Sequence, residues 1–193
     1  MAVVFLLMAA VLFSSQSDTY FIVYGDEDLP FRLCQQFKRP GETEHFDFCM
    51  ECLNADPRSV QVDVCGLTSI LLGCTISSTK HGRDLSSQLQ EIAVNETVKR
   101  ALSNCESSFA QATQLVQTSS EFFSDRDFSK AWHNLDGARM LGYDGCFSGF
   151  GFGRDDAVPP ELLRELRRFR DLCQEGATII SDFAGGSRVP CID

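Results

Sequence analysis

Nine cysteines and three histidines are the side chains of this sequence that could carry reaction or metal chemistry. Cys49 and Cys52 have the two-residue spacing of a zinc or redox site. A structural zinc site needs a second ligand pair, and only His45 lies nearby. His81 and His133 are not arranged with a serine or cysteine nucleophile and an orienting carboxylate. We therefore expect no catalytic centre, no metal and no cofactor, and we expect all three histidines to be solvated or capping residues.

The N-terminus predicts export of the chain. Residues 1–17 read MAVVFLLMAAVLFSSQS, with an apolar stretch from Ala2 to Phe13 that is shorter than the ~20 residues needed to span a bilayer. Small polar residues follow and provide a plausible cut before Asp18, which is the pattern of a secretory signal peptide. No later segment is apolar enough to cross a membrane. The mature chain is thus predicted to be soluble and secreted to the extracellular space, with the vacuole reached by the same entry signal.

Cysteine count and charge then narrow the class of protein. Nine cysteines in a secreted chain indicate a disulfide framework, and the odd number leaves at least one thiol without a partner in the chain. The formal net charge of −10 belongs wholly to the mature chain and argues against nucleic acid and anionic polysaccharide as ligands. A basic protein partner suits this surface better.

Apolar residues recur in four-three steps along four segments, and no segment is a convincing strand. The pattern predicts an all-α fold, an up-and-down four-helix bundle preceded by a short N-terminal helical hairpin. We assign this domain to residues 28–185 and a C-terminal tail to residues 186–193. The hairpin helices are predicted at Phe31–Phe37 and His45–Leu53, and the bundle helices at Ser59–Ala93, from Val98 to Phe123, from Phe128 to Leu141, and from Pro160 to Phe183.

Two cysteine pairs flank the predicted helical turns. Cys34 and Cys49 could staple the N-terminal hairpin. Cys105 could meet Cys146 across a second hairpin, in which Ser124 and Asp125 offer an N-cap for the second helix. A bridge closing a loop of the latter length would contribute ~4 kcal/mol in the chain-entropy model.

The remaining cysteines have no pairing that the sequence assigns. Cys65 and Cys74 cannot bond to each other along one helix, because nine residues rise about 13 Å and bridged Cα atoms lie ~5.5 Å apart. We expect these two to be buried as small apolar core residues. Cys52 stays open, and an additional bridge could involve Cys173 or Cys191.

Two stretches resemble the plant invertase and pectin methylesterase inhibitor family: FDFCMECLNADPRS, which ends at Ser59, and ALSNCESSFAQATQLV around Cys105. The resemblance extends from about Phe31 to Phe183. It implies a four-helix bundle with an N-terminal hairpin, disulfides Cys34–Cys49 and Cys105–Cys146, and a protein that is not an enzyme. Such a protein would bind and block either pectin methylesterase or an acid invertase of the cell wall or vacuole.

The resemblance also places partner-binding candidates at Arg126, Asp127 and Phe128. Invertase inhibitors of the family often carry Pro-Lys-Phe here, in a loop that enters the enzyme's active site, and only Phe128 matches. An acidic Asp127 should repel the catalytic carboxylates of a glycosidase. We therefore expect a pectin methylesterase inhibitor, with acid invertase as the alternative target and a non-inhibitory secreted bundle as a further alternative. The other interpretation of Phe128 is core packing at a helix start.

Three further patterns of the sequence predict a modification site, a loop and a helix face. Asn95-Glu96-Thr97 is a glycosylation sequon, so Asn95 is a candidate glycosylation site. The glycine-rich stretch from Phe147 to Pro160 is predicted to be a loop and not a phosphate cradle. The basic strip is predicted to be a solvated helix face, and it comprises Arg164, Arg167, Arg168 and Arg170.

Overall fold

The structure is a computed structural model that describes residues 28–38, 44–151, 155–186 and 191. The predicted signal peptide at residues 1–17 and most of the predicted tail at residues 186–193 lie outside the described residues. Within the described ranges, no helix combines the length and the apolar character that crossing a membrane requires.

The described chain contains seven α-helices and no strand. Three irregular helical turns accompany them: 3-10 turns at Pro57–Val60 and Asp155–Ala157, and a π-helical turn at Met140–Asp144. The α-helices are α1 Leu29–Gln35, α2 Glu44–Ala55, α3 Val64–Ile92, α4 Glu96–Ser124, α5 Phe128–Arg139, α6 Gly145–Phe150 and α7 Pro160–Ala184.

Helices α3, α4, α5 and α7 form the bundle. Each packs against two of the others, in the cyclic order α3, α4, α5, α7. The three-residue connection after α3 and the short turn after α4 leave each helix antiparallel to the next, as short connections require. The predicted up-and-down bundle with a preceding helical hairpin is confirmed.

Single residues at the N-termini decide where bundle helices α3 and α7 begin. Asp63 accepts a hydrogen bond from the Gly66 backbone N–H at 2.9 Å, so α3 begins at Val64 and not at the predicted Ser59. Pro160 occupies the first turn of α7, where a missing N–H costs nothing. A cap satisfies backbone donors locally, and for that reason the helix boundaries follow single side chains.

Two aromatic rings fill the middle of the bundle. Phe109 of α4 and Phe169 of α7 are fully buried, and their ring centroids lie 5.7 Å apart. Gly82 of α3 lies directly against Phe109, where a Cβ would come within 2.5 Å of the ring. α3 runs without interruption through Gly82, so this glycine makes room for a ring in a continuous helix. The polar Ser119 of α4 is also buried, and its hydroxyl donates to the Ala131 carbonyl of α5 at 2.7 Å.

Four disulfides cross-link the elements. Two of them, Cys34–Cys49 and Cys105–Cys146, are the pairs that the resemblance implies. The other two, Cys52–Cys74 and Cys65–Cys191, tie α3 to the N-terminal hairpin and to the C-terminal end of the chain. The expectation that Cys65 and Cys74 are unbonded core residues is therefore wrong. Cys173 is the free, buried cysteine.

Two other expectations also differ from the structure. The predicted glycine-rich loop does not begin at Phe147, because α6 continues to Phe150 and buries Phe147. The basic strip of α7 is only partly solvated. Arg168 pairs with Glu51 of α2 at 2.9 Å, and Arg167 pairs with Asp155 at 3.1 Å. The strip thus helps to hold the N-terminal hairpin and the preceding loop against α7.

Candidate functional site

The turn between α4 and α5 holds all three predicted partner-binding residues. Arg126 has a φ of 63°, and no other non-glycine residue of the described chain has a positive φ. Its backbone N–H donates to the Phe123 carbonyl at 3.0 Å, and that of Asp127 donates to the Phe122 carbonyl at 2.9 Å. This left-handed residue closes α4 and reverses the chain. It leaves the Arg126 side chain exposed at the end of the bundle.

Asp127 is the N-cap of α5. Its carboxylate accepts a hydrogen bond from the Lys130 backbone N–H at 3.2 Å and pairs with the Lys130 ammonium at 2.6 Å. The hydrogen bond and charge of Lys130 lower the pKa of Asp127. The predicted N-cap at Ser124 and Asp125 is wrong, because α4 extends to Ser124, whose hydroxyl donates back to the Ser120 carbonyl. Asp127 therefore presents a neutralised ion pair where the sequence argument assumed an uncompensated carboxylate.

Phe128 is half-buried in an aromatic cluster that joins three helices. Its ring lies 5.5 Å from Phe123 of α4 and 5.2 Å from Phe183 of α7, measured between centroids. Phe123 and Phe183 are 5.9 Å apart, so the three rings contact one another. The packing interpretation of Phe128 agrees with this geometry. The cluster also fixes the turn, since Phe128 follows Asp127 directly.

A groove of about 350 Å³ lies beside this turn and extends the candidate surface towards the start of α3. Arg126 and Phe123 form one wall, and the Cys65–Cys191 disulfide with Gln61 and the start of α3 forms the other. This disulfide fixes the start of α3 to the chain beyond α7, near the α4–α5 turn. The end of the bundle that carries the α4–α5 turn is therefore cross-linked by a disulfide.

Sequence reasoning missed three exposed apolar side chains in α5 and just after it. Trp132, Met140 and Leu141 all lie within the segment from Phe128 to Leu141 that was predicted as a bundle helix, and all three are exposed. The π-helical turn at Met140–Asp144 shifts the phase of the helix, so the four-three pattern does not continue to Leu141. Trp132 precedes this turn, and Ala131 and Leu135 occupy the buried face beside it. Tryptophan and methionine are enriched in the cores of protein interfaces. The spacing of apolar residues in the sequence does not distinguish exposed apolar residues of this kind from residues of the buried core.

The polar clusters of the described chain do not assemble a catalytic relay. The buried Ser78 hydroxyl donates to Glu165, and His81 lies 4.0 Å from the same carboxylate. A relay would need the histidine between serine and carboxylate. His45 is buried, with its Nδ1 3.4 Å from Asp171, so the expectation of a solvated or capping histidine is wrong there. The described residues contain no group of three side chains arranged to hold a metal ion.

Asn95 lies at the exposed junction of α3 and α4. Its side-chain oxygen accepts hydrogen bonds from the backbone N–H groups of Thr97 and Val98, at 2.8 and 3.3 Å. The amide nitrogen, to which a glycan would be attached, does not take part in this cap. The sequon is thus sterically open in the folded chain.

These features describe a disulfide-bonded helical bundle whose candidate site is a surface at one end of its helices. No protein-family model matches the chain. A pectin methylesterase inhibitor from Arabidopsis thaliana has a similar fold, with a TM-score of 0.56 and 17% identity over 81% of this chain and 96% of that one. The pectinesterase inhibitor of Actinidia deliciosa is 22% identical over 94% of this chain and 93% of its own length.

Two other relatives carry invertase-related names. The cell wall / vacuolar inhibitor of fructosidase 2 of Arabidopsis thaliana is 24% identical over 68% of this chain and 73% of its own length. A protein of Platanus orientalis, provisionally named an invertase inhibitor, is 26% identical over 51% of this chain, and the match spans 58% of that relative. Together these likenesses, at low identity, support membership of the plant invertase and pectin methylesterase inhibitor family.

Proposed function

We propose that the chain is a secreted inhibitor that binds and occludes a cell-wall pectin methylesterase. The observation that carries this proposal is the likeness to the Actinidia pectinesterase inhibitor along almost the whole of both chains. The similar fold of the Arabidopsis pectin methylesterase inhibitor supports it. These relatives are named as inhibitors and not as enzymes, and this chain is assigned the same passive role.

The proposed mechanism is occlusion of the substrate cleft by a preformed surface. Four disulfides cross-link the helices before any partner arrives, so little conformational freedom is left to lose on binding. The net charge of −10 would speed encounter with a basic rim on the esterase. Such steering weakens as salt screens the charges.

The α4–α5 end of the bundle is our proposed contact surface. Arg126 and Trp132 are exposed there, and Phe128 is half-exposed beside them. Arginine and aromatic residues at the centre of an interface carry most binding energy when they become fully desolvated. The aromatic cluster of Phe123, Phe128 and Phe183 anchors Phe128, and with it the start of α5 beside the turn.

Acid invertase is the second candidate target, and one structural observation favours keeping it. The charge of Asp127 is compensated by Lys130, and Arg126 offsets Asp125, so the turn carries no net charge. Repulsion from the catalytic carboxylates of a glycosidase is then weaker than the sequence alone suggests. The invertase-related names of two relatives point the same way.

A parallel titration separates the two targets. The oxidised mature chain is added to a pectin methylesterase and to a cell-wall invertase at mildly acidic pH. Stoichiometric loss of esterase activity with invertase unaffected is the expected result. Loss of invertase activity alone would reverse the assignment, and no effect on either enzyme by a folded, helical protein would refute inhibition of both.

Two variants test the proposed surface in the same assay. Arg126→Gly removes the guanidinium and is compatible with the positive φ, so the turn should survive. We expect it to weaken inhibition by about tenfold or more, as loss of one interface hot spot does. Arg100→Gln, at an exposed position near the opposite end of α4, is the matched control and should inhibit like the parent. Equal inhibition by all three proteins would exclude this end of the bundle as the contact.

A further inference from the structure

The contact between the N-terminal hairpin and α7 encloses two acidic side chains. Asp171 is fully buried, and Glu175, one turn further along α7, is 1% exposed. Neither carboxylate oxygen of Glu175 has a hydrogen-bond partner, and Asp171 Oδ2 also lacks one. An ionised carboxylate is rarely left in this state, because burial without compensation is very costly.

The charged surroundings of Glu175 do not compensate it. On its own helix the near charge is Asp171, whose other oxygen accepts from Arg170 Nε at 2.7 Å. From α2, His45 approaches Asp171, with Nδ1 and Oδ2 3.4 Å apart. The turn after α1 contributes the uncharged Gln36 and Phe37 to a cavity of about 320 Å³, which His45, Gln174, Glu175 and Thr178 also line.

No lysine or arginine is among the described side chains that line this cavity. From α5, the apolar Leu135 packs against Gly176, the residue that follows Glu175. Lys38, just after α1, lies over the Phe46 ring at 5.6 Å from its centroid. Glu44, beside His45, pairs with Arg167 of α7 at 3.9 Å on the exposed side of the contact.

The covalent tethers leave the His45 end of the hairpin held by noncovalent contacts alone. Cys34–Cys49 joins α1 to α2, and Cys52–Cys74 joins α2 to α3. His45 lies two turns from Cys52, at the other end of α2. The hairpin can therefore open at its His45 end as one unit while its bridges stay intact.

We propose that Glu175, together with Asp171, makes this contact a pH-sensitive clasp that holds the hairpin against the bundle in acid and loosens it towards neutral pH. Burial and the neighbouring Asp171 carboxylate raise the pKa of Glu175, and burial raises that of Asp171 against the opposing effect of Arg170. The opened state loses its Glu175 proton near the ordinary value of about 4.3, whereas the closed state retains it. Closure is therefore fully favoured below that pH and weakens as pH rises through the higher pKa of the closed state.

Two other carboxylates of the described residues have lowered pKa values, and they affect stability in a different pH range. Asp56 has a pKa of about 2 beside Arg58, and the pKa of Asp127 is lowered by Lys130. Their contributions to stability are present above the ordinary aspartate value and are lost only as pH falls below it. A change between about pH 5 and pH 7.5 therefore does not come from either of them.

Carbon-13 NMR of the glutamate carboxyl groups tests the titration directly. Glu175→Gln assigns the Glu175 signal, and Glu161, exposed in the first turn of the same helix, is the internal reference. We expect the Glu175 midpoint to lie clearly above the ordinary glutamate value of about 4.3. A midpoint at or below that value would overturn the proposal.

Hydrogen exchange of the full oxidised chain at about pH 5 and pH 7.5, corrected for intrinsic rates, tests the opening. One linked proton predicts up to a tenfold loss of protection in α2 per pH unit, with α4 and α5 unchanged. Glu175→Gln should flatten this dependence, Glu175→Leu is the second variant if the amide folds poorly, and Glu161→Gln should behave as the parent. His45→Gln separates any contribution of the imidazole. A loss that is unchanged in both Glu175 variants, or that spreads equally over the bundle, would refute the clasp.

Discussion

Two glycines of α3 provide a paired test of how the bundle is packed. Gly82 is buried beneath the Phe109 ring, and a Cβ added there would lie 2.5 Å from the ring carbon Cζ. Gly73, nine residues earlier, is exposed, and a Cβ there would meet nothing within 4 Å. Both lie within the continuous helix Val64–Ile92. The same substitution therefore gains the same helix propensity at both sites, but it disturbs packing only at Gly82.

The expected magnitudes follow from two opposing effects. Alanine in place of glycine within a helix gains about 1 kcal/mol at either site. At Gly82 the new methyl group falls about 1 Å short of the ~3.5 Å at which carbon atoms contact favourably. Overpacking of this kind costs about 1–3 kcal/mol. Gly73→Ala should thus raise the free energy of unfolding by about 1 kcal/mol, and Gly82→Ala should fall below Gly73→Ala by about 1–3 kcal/mol.

Urea unfolding followed by circular dichroism, with the disulfides intact, measures both variants against the parent. In thermal unfolding, each kcal/mol corresponds to about 2–4 °C for a chain of this size. If Gly82→Ala stabilised the protein as much as Gly73→Ala does, the ring could not lie against α3 as described. The helix would then have a different register against α4.

Two further predictions concern Cys173 and Asn95. The Cys173 thiol is buried, and burial raises its pKa well above the ordinary value. A thiol reagent should therefore detect no thiol in the native oxidised chain and one thiol after denaturation. A reactive thiol in the native chain would contradict the disulfide assignment. Asn95→Ser keeps an N-cap oxygen but removes the sequon, so in eukaryotic expression it should abolish a glycan mass with little change in stability, whereas Asn95→Ala should also cost about 1 kcal/mol. If Asn95→Ser caused no loss of glycan mass, the site would not be used.

The helical periodicity of the sequence was sufficient to predict the fold class. The four-three spacing of apolar residues is a local property, so it located the four bundle helices without knowledge of their partners. The pairs Cys34–Cys49 and Cys105–Cys146 were also accessible, because the family resemblance implies them and each flanks a predicted helical hairpin. Boundaries were less accessible, since one capping side chain such as Asp63 moves the start of α3 by several residues.

The long-range cysteine pairs and the charge at the candidate site required the tertiary structure. Cys65 and Cys191 are 126 residues apart in sequence, and only the packing of α3 beside α7 brings their Cα atoms to 5.6 Å. The sequence named Asp127 as a repulsive charge, but whether it caps a helix and pairs with Lys130 depends on where α4 ends.

The sequence by itself determined the class of this protein: an acidic, cysteine-rich, all-helical chain, whose order of motifs resembles one inhibitor family. Only the tertiary structure decided which side chains form the surface and which carry compensated charge. Trp132 became exposed, Phe128 became part of an aromatic cluster, and Glu175 was buried without a partner. Periodicity reports which face of a helix is apolar. The packing of neighbouring helices determines which parts of that face are covered, and how each buried charge is satisfied.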